Sequence, residues 1–231
     1  MLKKYDFDSR DGADEFDRDL DGLCYTYGFG VSLLSITDAF DNYYNIDRGI
    51  YFIAIDLKLC LFNMFVTIRE MERLKGRNDL IEIFTFHNKW IQFIAVYRSF
   101  FDKFMNLVVK AGHPESHKDF DKAKSKLKAF KKIALKQEAM FLPVSKMVVQ
   151  LPKEDIEWMS EFITFINNNY RTAEIHGAGS ARKWVFKEAD LRKTPYAKIK
   201  EFVDHLSLYF QIIGCIVSGK KYAEALEKQR K

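Results

Sequence analysis

Prolines are scarce, four in 231 residues, so little in the chain forbids helix by ring geometry. Cysteine is scarce as well. Cys24, Cys60 and Cys215 are far apart, odd in number and without a C-x-x-C spacing, which argues against a disulfide framework and against a zinc knuckle. A reducing, cytoplasmic setting is the simpler reading. The opening stretch MLKKYDFDSRDGADEF has no apolar segment of the kind a signal peptide needs, and the most apolar run, Ile50–Val66, is interrupted by Asp56, Lys58 and Asn63. Neither a cleaved leader nor a membrane span is expected. Glycine-rich phosphate loops, a G-x-S-x-G elbow and a Cys/His nucleophile pair are all missing, and with them the common enzyme templates. No internal repeat or low-complexity segment divides the chain.

What is abundant is apolar and aromatic. Hydrophobic residues make up 48% of the chain, with 21 Phe and 11 Tyr among them, enough for a substantial core packed by large rings. Apolar residues recur at spacings of three and four, the helical period. Phe52, Ile55, Leu59, Phe62 and Val66 form such a stripe in a helix expected from about Asp47 to Lys75, with Gly76 as its stop. Ile83, Trp90, Ile94, Phe101, Phe104 and Val108 do the same from about Asp79 to Lys110, and the short connection between the two segments predicts an antiparallel pair. A shorter basic helix is expected over Lys118 to Gln137. Further helices are expected over Val31 to Asn45, Pro152 to Tyr170 and Pro195 to Ser218. The fold predicted is therefore all-α, an up-and-down antiparallel helical bundle of about five or six helices. Residues 1–20 read as an acidic, loosely ordered arm and residues 21–231 as a single helical domain.

The net charge of +5 is modest but unevenly laid out. Eight acids crowd the first 21 residues, from Asp6 to Asp21, whereas lysines crowd the stretch from Lys110 to Lys136. That basic stretch is either an ordinary solvated helix face or a surface that attracts polyanions.

Two groupings resemble metal sites, and each departs from its template. Asp17, Asp19, Asp21 and Gly22 match the opening of an EF-hand loop, but the twelfth position, where a bidentate glutamate belongs, is Gly28. His113 and His117 flank Glu115, although a zinc-protease motif sets its glutamate directly after the first histidine, and Pro114 points to a loop. His87 and His205 fall inside amphipathic helices, where a partly buried histidine is common. No metal and no cofactor is assigned.

The most unusual window runs from Asn167 to Trp184. Arg171 and His176 lie five apart where a helix gives way to Gly177 and Gly179, so the two side chains can converge as the chain turns. Arginine grips phosphate in a planar fork and histidine transfers protons near neutral pH. As a purely structural alternative, Arg171 caps helix carbonyls or pairs with Glu174, and His176 favourably ends the helix at its negative pole. The arrangement resembles the R-x4-6-H motif of the HEPN superfamily of small helical domains, with the match strongest from Tyr170 to Gly177. The resemblance implies a homodimer in which the arginine and histidine support metal-independent RNA cleavage through attack of the ribose 2′-hydroxyl on the adjacent phosphodiester, often in toxin, defence or stress settings. On this chain Arg171 would hold the phosphate and His176 would move the proton. Many nuclease members carry Asn, Asp or His directly after the arginine, where this chain has Thr172. Arg182 and Lys183 are candidate phosphate contacts, and Trp184 either stacks on an RNA base or closes the core. The alternative to an endoribonuclease is a non-catalytic helical module that binds RNA, a nucleotide or a protein partner.

Overall fold

The structure, a computed structural model, describes residues 3–26, 43–77 and 79–135 together with residues 157, 160, 161, 163, 164 and 168. The described part is all-α. Helix α1 spans Arg10–Thr26, the single turn α2 Tyr43–Ile46, α3 Arg48–Leu74, α4 Leu80–Gly112, α5 Pro114–Lys122 and α6 Lys126–Leu135.

Local chemistry sets the two long helices. Asp47 starts α3 by accepting from the backbone N–H groups of Gly49 at 2.9 Å and Ile50 at 3.3 Å, and Asp79 starts α4 by accepting from Ile81 N–H at 2.8 Å. Each carboxylate thereby satisfies a donor that has no partner inside its helix. Between them the backbone reverses at Gly76, whose φ of +86° lies in the left-handed region that a side chain disfavours.

The pair that results is antiparallel, and three ion pairs record its register. Asp47 pairs with Lys110 at 2.9 Å, Asp56 with Lys103, and Glu70 with Lys89 at 2.5 Å. As numbering rises along α3 it falls along α4, and each rung sets an acid on α3 or at its cap against a lysine on α4. Inside this ladder lies the core. Tyr51, Ala54, Leu57, Leu61, Met64 and Met71 of α3 are buried, as are Trp90, Phe93, Tyr97, Phe100, Phe101 and Phe104 of α4. The α4 rings form a column, with Trp90 stacked on Phe93 at 5.6 Å, Phe93 on Tyr97 at 5.8 Å, and Tyr97 tilted against Phe101 at 4.7 Å between centroids. Offset and tilted rings of this kind add about 0.5–1.5 kcal/mol per pair beyond area burial. By length and composition α3 is apolar enough to cross a membrane, but half of its most apolar window is buried within the protein, where it packs on α4.

Three expectations need correction. The stripe assigned to α3 is displaced around the helix: Ile55 is buried, but Phe52, Leu59, Phe62 and Val66 are only half-buried, while the deepest positions include Ala54 and Lys58. The single basic helix is two, α5 and α6, parted at residues 123–125, and Pro114 opens α5 rather than marking a loop. A proline is suited to the first helical turn, where its missing N–H costs nothing.

The third correction concerns the acidic arm. Its residues from Arg10 onward form α1, which buries Ala13, Leu20 and Cys24. Residues 3–9 fold back along it: Lys3 reaches Glu15 at 2.9 Å and Asp19 at 2.6 Å, and the Tyr5 hydroxyl donates to Asp19 at 2.6 Å. The return is tight at Gly12, where a Cβ would stand 2.2 Å from the carbonyl oxygen of Asp6. The helix expected over Val31 to Asn45 is described only at its end, and most of the C-terminal segments lie outside the described residues.

Candidate functional site

Arg171, Thr172, His176, Arg182, Lys183 and Trp184 all lie outside the described residues, as do His205 and Cys215. The groupings that fall within the described residues can be followed atom by atom.

The EF-hand-like acids do not form a loop. Asp17 and Asp21, one turn apart on α1, converge on the ammonium of Lys58, which is fully buried on α3. Asp17 accepts from it at 2.8 Å and Asp21 closes the other side. Asp19 points elsewhere, to Lys3 and Tyr5, and these two donors hold its carboxyl below the usual carboxylate range. So the i, i+2, i+4 carboxylates that would wrap one cation in a loop are split by the helical period onto two faces. The site they build is a buried charge cluster whose cation is a lysine. The Tyr51 hydroxyl, at 3.4 Å from Asp14, extends it along α1. Cys24 closes the end, its thiol pushed up by burial even though Lys58 nearby works in the opposite direction.

In the sequence Lys58 stands out only as an interruption of an apolar run. The signal that locates it was present: a single cation at an inward-facing helical position, and two acids spaced by four elsewhere in the chain. Buried cations are rarely found without such partners.

The two central histidines are separated rather than shared. His113 is 3% exposed and joins α4 to α5, its backbone N–H donating to Val109 O at 2.8 Å and its carbonyl accepting from Ser116 at 2.9 Å. Nδ1 stands 4.0 Å from Glu115 and Nε2 is buried with no hydrogen-bond partner. Burial lowers the His113 pKa from 6.5, with Glu115 opposing. His117, by contrast, hydrogen-bonds Asn106 at 2.9 Å through Nε2. Among the described residues no group of three His, Cys, Asp or Glu side chains is arranged to hold a metal ion.

A second feature is electrostatic. On α5 and α6 Lys118, Lys122, Lys128 and Lys132 are exposed and Lys126 and Lys131 half-buried, while Phe120 and Phe130 turn inward, Phe130 meeting Phe104 at 6.4 Å between centroids. No protein-family model, curated protein or solved structure matches the chain. Its function is therefore argued from its own residues.

Proposed function

We propose that this chain is an RNA-directed helical protein of the HEPN type, acting as a homodimer. The observation that carries the reading is the Arg171-x4-His176 spacing directly before Gly177, in a chain whose described part is all-α. In this reading Arg171 binds the scissile phosphate through its two-pronged guanidinium and stabilises the charge that develops on the non-bridging oxygens. His176 takes the proton from the ribose 2′-hydroxyl as that oxygen attacks phosphorus. The 5′-oxygen leaves and takes up a proton from water, and the products are a 2′,3′-cyclic phosphate and a 5′-hydroxyl. Arg182, Lys183 and Trp184 would hold the strand on either side, by charge and by stacking.

The test is cleavage of end-labelled RNA in EDTA by the full chain, with Arg171→Ala and His176→Ala alongside. The expected result is cutting by the parent and a loss of about 10²–10⁴-fold in His176→Ala, the usual contribution of a positioned proton-transfer group. Absence of cutting by the parent, or equal cutting by the variants, would remove the catalytic claim.

One residue favours a second reading. Thr172 stands where many nuclease members carry Asn, Asp or His, and its hydroxyl lacks the amide, carboxyl or imidazole group that those members place beside the arginine. In that case the parent retains RNA without cutting it, and Arg171→Ala weakens retention.

A further inference from the structure

Over residues 3–112 the described lysines mostly have acid partners: Lys3 with Glu15 and Asp19, Lys58 with Asp17 and Asp21, Lys89 with Glu70, Lys103 with Asp56, Lys110 with Asp47, whereas Lys118 and Lys122 on α5 have no ion pair among the described residues. Helix α6 breaks this pattern. Only Lys126 is engaged, turned back to the end of α5, where it donates to the carbonyls of Phe120 at 3.0 Å and Asp121 at 2.5 Å and lies 3.4 Å from the Asp121 carboxylate. Lys124, just before the helix, and Lys128, Lys131 and Lys132 on it have no ion pair among the described residues; Lys131 is half-buried and the other three are exposed.

The placement is unfavourable to the helix itself. No acid occurs anywhere in Lys126–Leu135. Lys126 and Lys128 stand in its first turn, against the positive end of the helix dipole, and Lys128 and Lys132 repel each other one turn apart. Lys126 is met by Asp121, but for Lys124, Lys128, Lys131 and Lys132 no ion pair within the described fold offsets these costs, which leaves the face open to a charge from elsewhere.

Its chemistry narrows the source. Leu127, Phe130 and Ile133, the large apolar residues described on α6, pack against the core, leaving no apolar face to sink into a lipid bilayer. The exposed large hydrophobics of the described residues, Phe7, Leu23, Tyr25, Leu80, Ile81 and Phe84, all belong to other parts of the molecule. Protein interfaces are depleted in lysine and are anchored by aromatic residues, and this face has the reverse composition. Cations one turn apart, roughly 5–6 Å between Cβ atoms, are on the scale at which a polynucleotide strand offers successive phosphates.

We infer that the outer face of α6, with Lys124, Lys128, Lys131 and Lys132, is a docking surface for a nucleic-acid backbone. It is a binding surface separate in sequence from the Arg171 and His176 pair and does not require that pair to be catalytic.

The experiment measures anisotropy of the full chain with a labelled 20-nucleotide oligomer across a salt series, using 2′-O-methyl RNA, which has no free 2′-hydroxyl to attack phosphorus, and DNA of the same sequence. Binding is then read without interference from cleavage, so failure here and failure of the nuclease reading are distinguishable. Changing the four lysines to Gln should reduce the slope of log K against log salt by about 3, four phosphate contacts at about 0.7 each, and weaken binding at least tenfold at low salt. Changing all four to Arg should preserve it. The charge-matched control changes Lys4, Arg73, Lys75 and Arg77, all exposed and on other parts of the surface, to Gln, and should alter affinity less than twofold. Either oligomer binding in this pattern supports the surface. No binding by the parent at low salt, an equal loss in the control, or equal affinity for phosphatidylserine vesicles or a glutamate-rich peptide of matched charge overturns it.

Discussion

Lys58 and His113 are both buried ionisable groups, and they differ in how the surrounding chain meets their charge. Around Lys58 two carboxylates are supplied by another helix, and these carboxylates retain some contact with solvent, Asp17 at 14% and Asp21 at 26% exposure. Removing the ammonium therefore leaves acids that water can reach, whereas removing both acids leaves the charge of a fully buried ammonium uncompensated by them. Lys58→Met is expected to cost no more than about 2 kcal/mol, and Asp17→Asn with Asp21→Asn about 3–5 kcal/mol. Urea unfolding of both variants checks the ordering; a larger loss in Lys58→Met would contradict it. His113 is kept neutral instead. Its pKa in the folded protein lies below 6.5, so well above pH 6.5 neither the folded nor the unfolded chain protonates it and it contributes nothing to pH dependence. As pH falls from 6.5 toward the folded value, the unfolded chain takes up a proton that the folded chain refuses, and stability is lost. Melting temperatures of the parent and His113→Leu, measured from pH 7 to pH 5, should shift in favour of the variant on acidification. Parallel curves would show that His113 does not titrate in this way.

At the scale of elements, what could be read in advance was what local chemistry dictates. The ends of α3 and α4 follow from Asp47, Gly76 and Asp79, residues whose effect on the backbone is confined to one turn, and the sequence places both helices to within a few residues. Which face of α3 turns inward is not local. Phe52 and Phe62 are the bulkier side chains, but the inner seam runs through Ala54, where a small residue lets α3 pack closely, and through Lys58, which takes its partners from α1. Helix α1 was obscured for the same reason. Its apolar positions, Ala13, Phe16, Leu20 and Cys24, have helical spacing, but six acids between Arg10 and Thr26 mask them, and part of that charge is met only in the folded chain. The Arg171 and His176 pair was legible as a motif, but convergence of two side chains is a property of tertiary placement that spacing alone does not determine. Gly76 provides the direct test of the turn. A Cβ there would meet nothing within 4 Å, so Gly76→Ala should cost about 1 kcal/mol from backbone conformation alone. An unchanged unfolding midpoint would mean that the turn relaxes into another conformation.

Across the described residues, charge is sorted by helix: acids on α1, against α3, and lysines without an ion pair on α6, against α4. A strand of nucleic acid approaching such a surface is attracted to one region and repelled by another, which orients it before any specific contact forms. If the proposed site draws its arginine and histidine from two protomers, complementation follows. Arg171→Ala and His176→Ala chains, each inactive alone, should recover up to about half of the parental cleavage per mixed dimer when unfolded and refolded together, because one of two composite sites is then intact. No recovery in a mixture proven to contain the mixed dimer would place both residues of a site on the same chain.

Cys24 makes the docking of α1 measurable in time. The thiol lies on α1 and is 1% exposed, while Cys60 lies within α3 at 8%. A thiol-reactive reagent in solution reaches Cys24 when α1 lifts away from α3, and Cys60 when the central pair opens. Mass spectrometry of the two modified peptides over time thus yields two rates, one for the lifting of α1 and one for the opening of the central pair. Replacing Asp17 and Asp21 with Asn, which removes the carboxylates that hold Lys58 against α1, should accelerate the first more than the second.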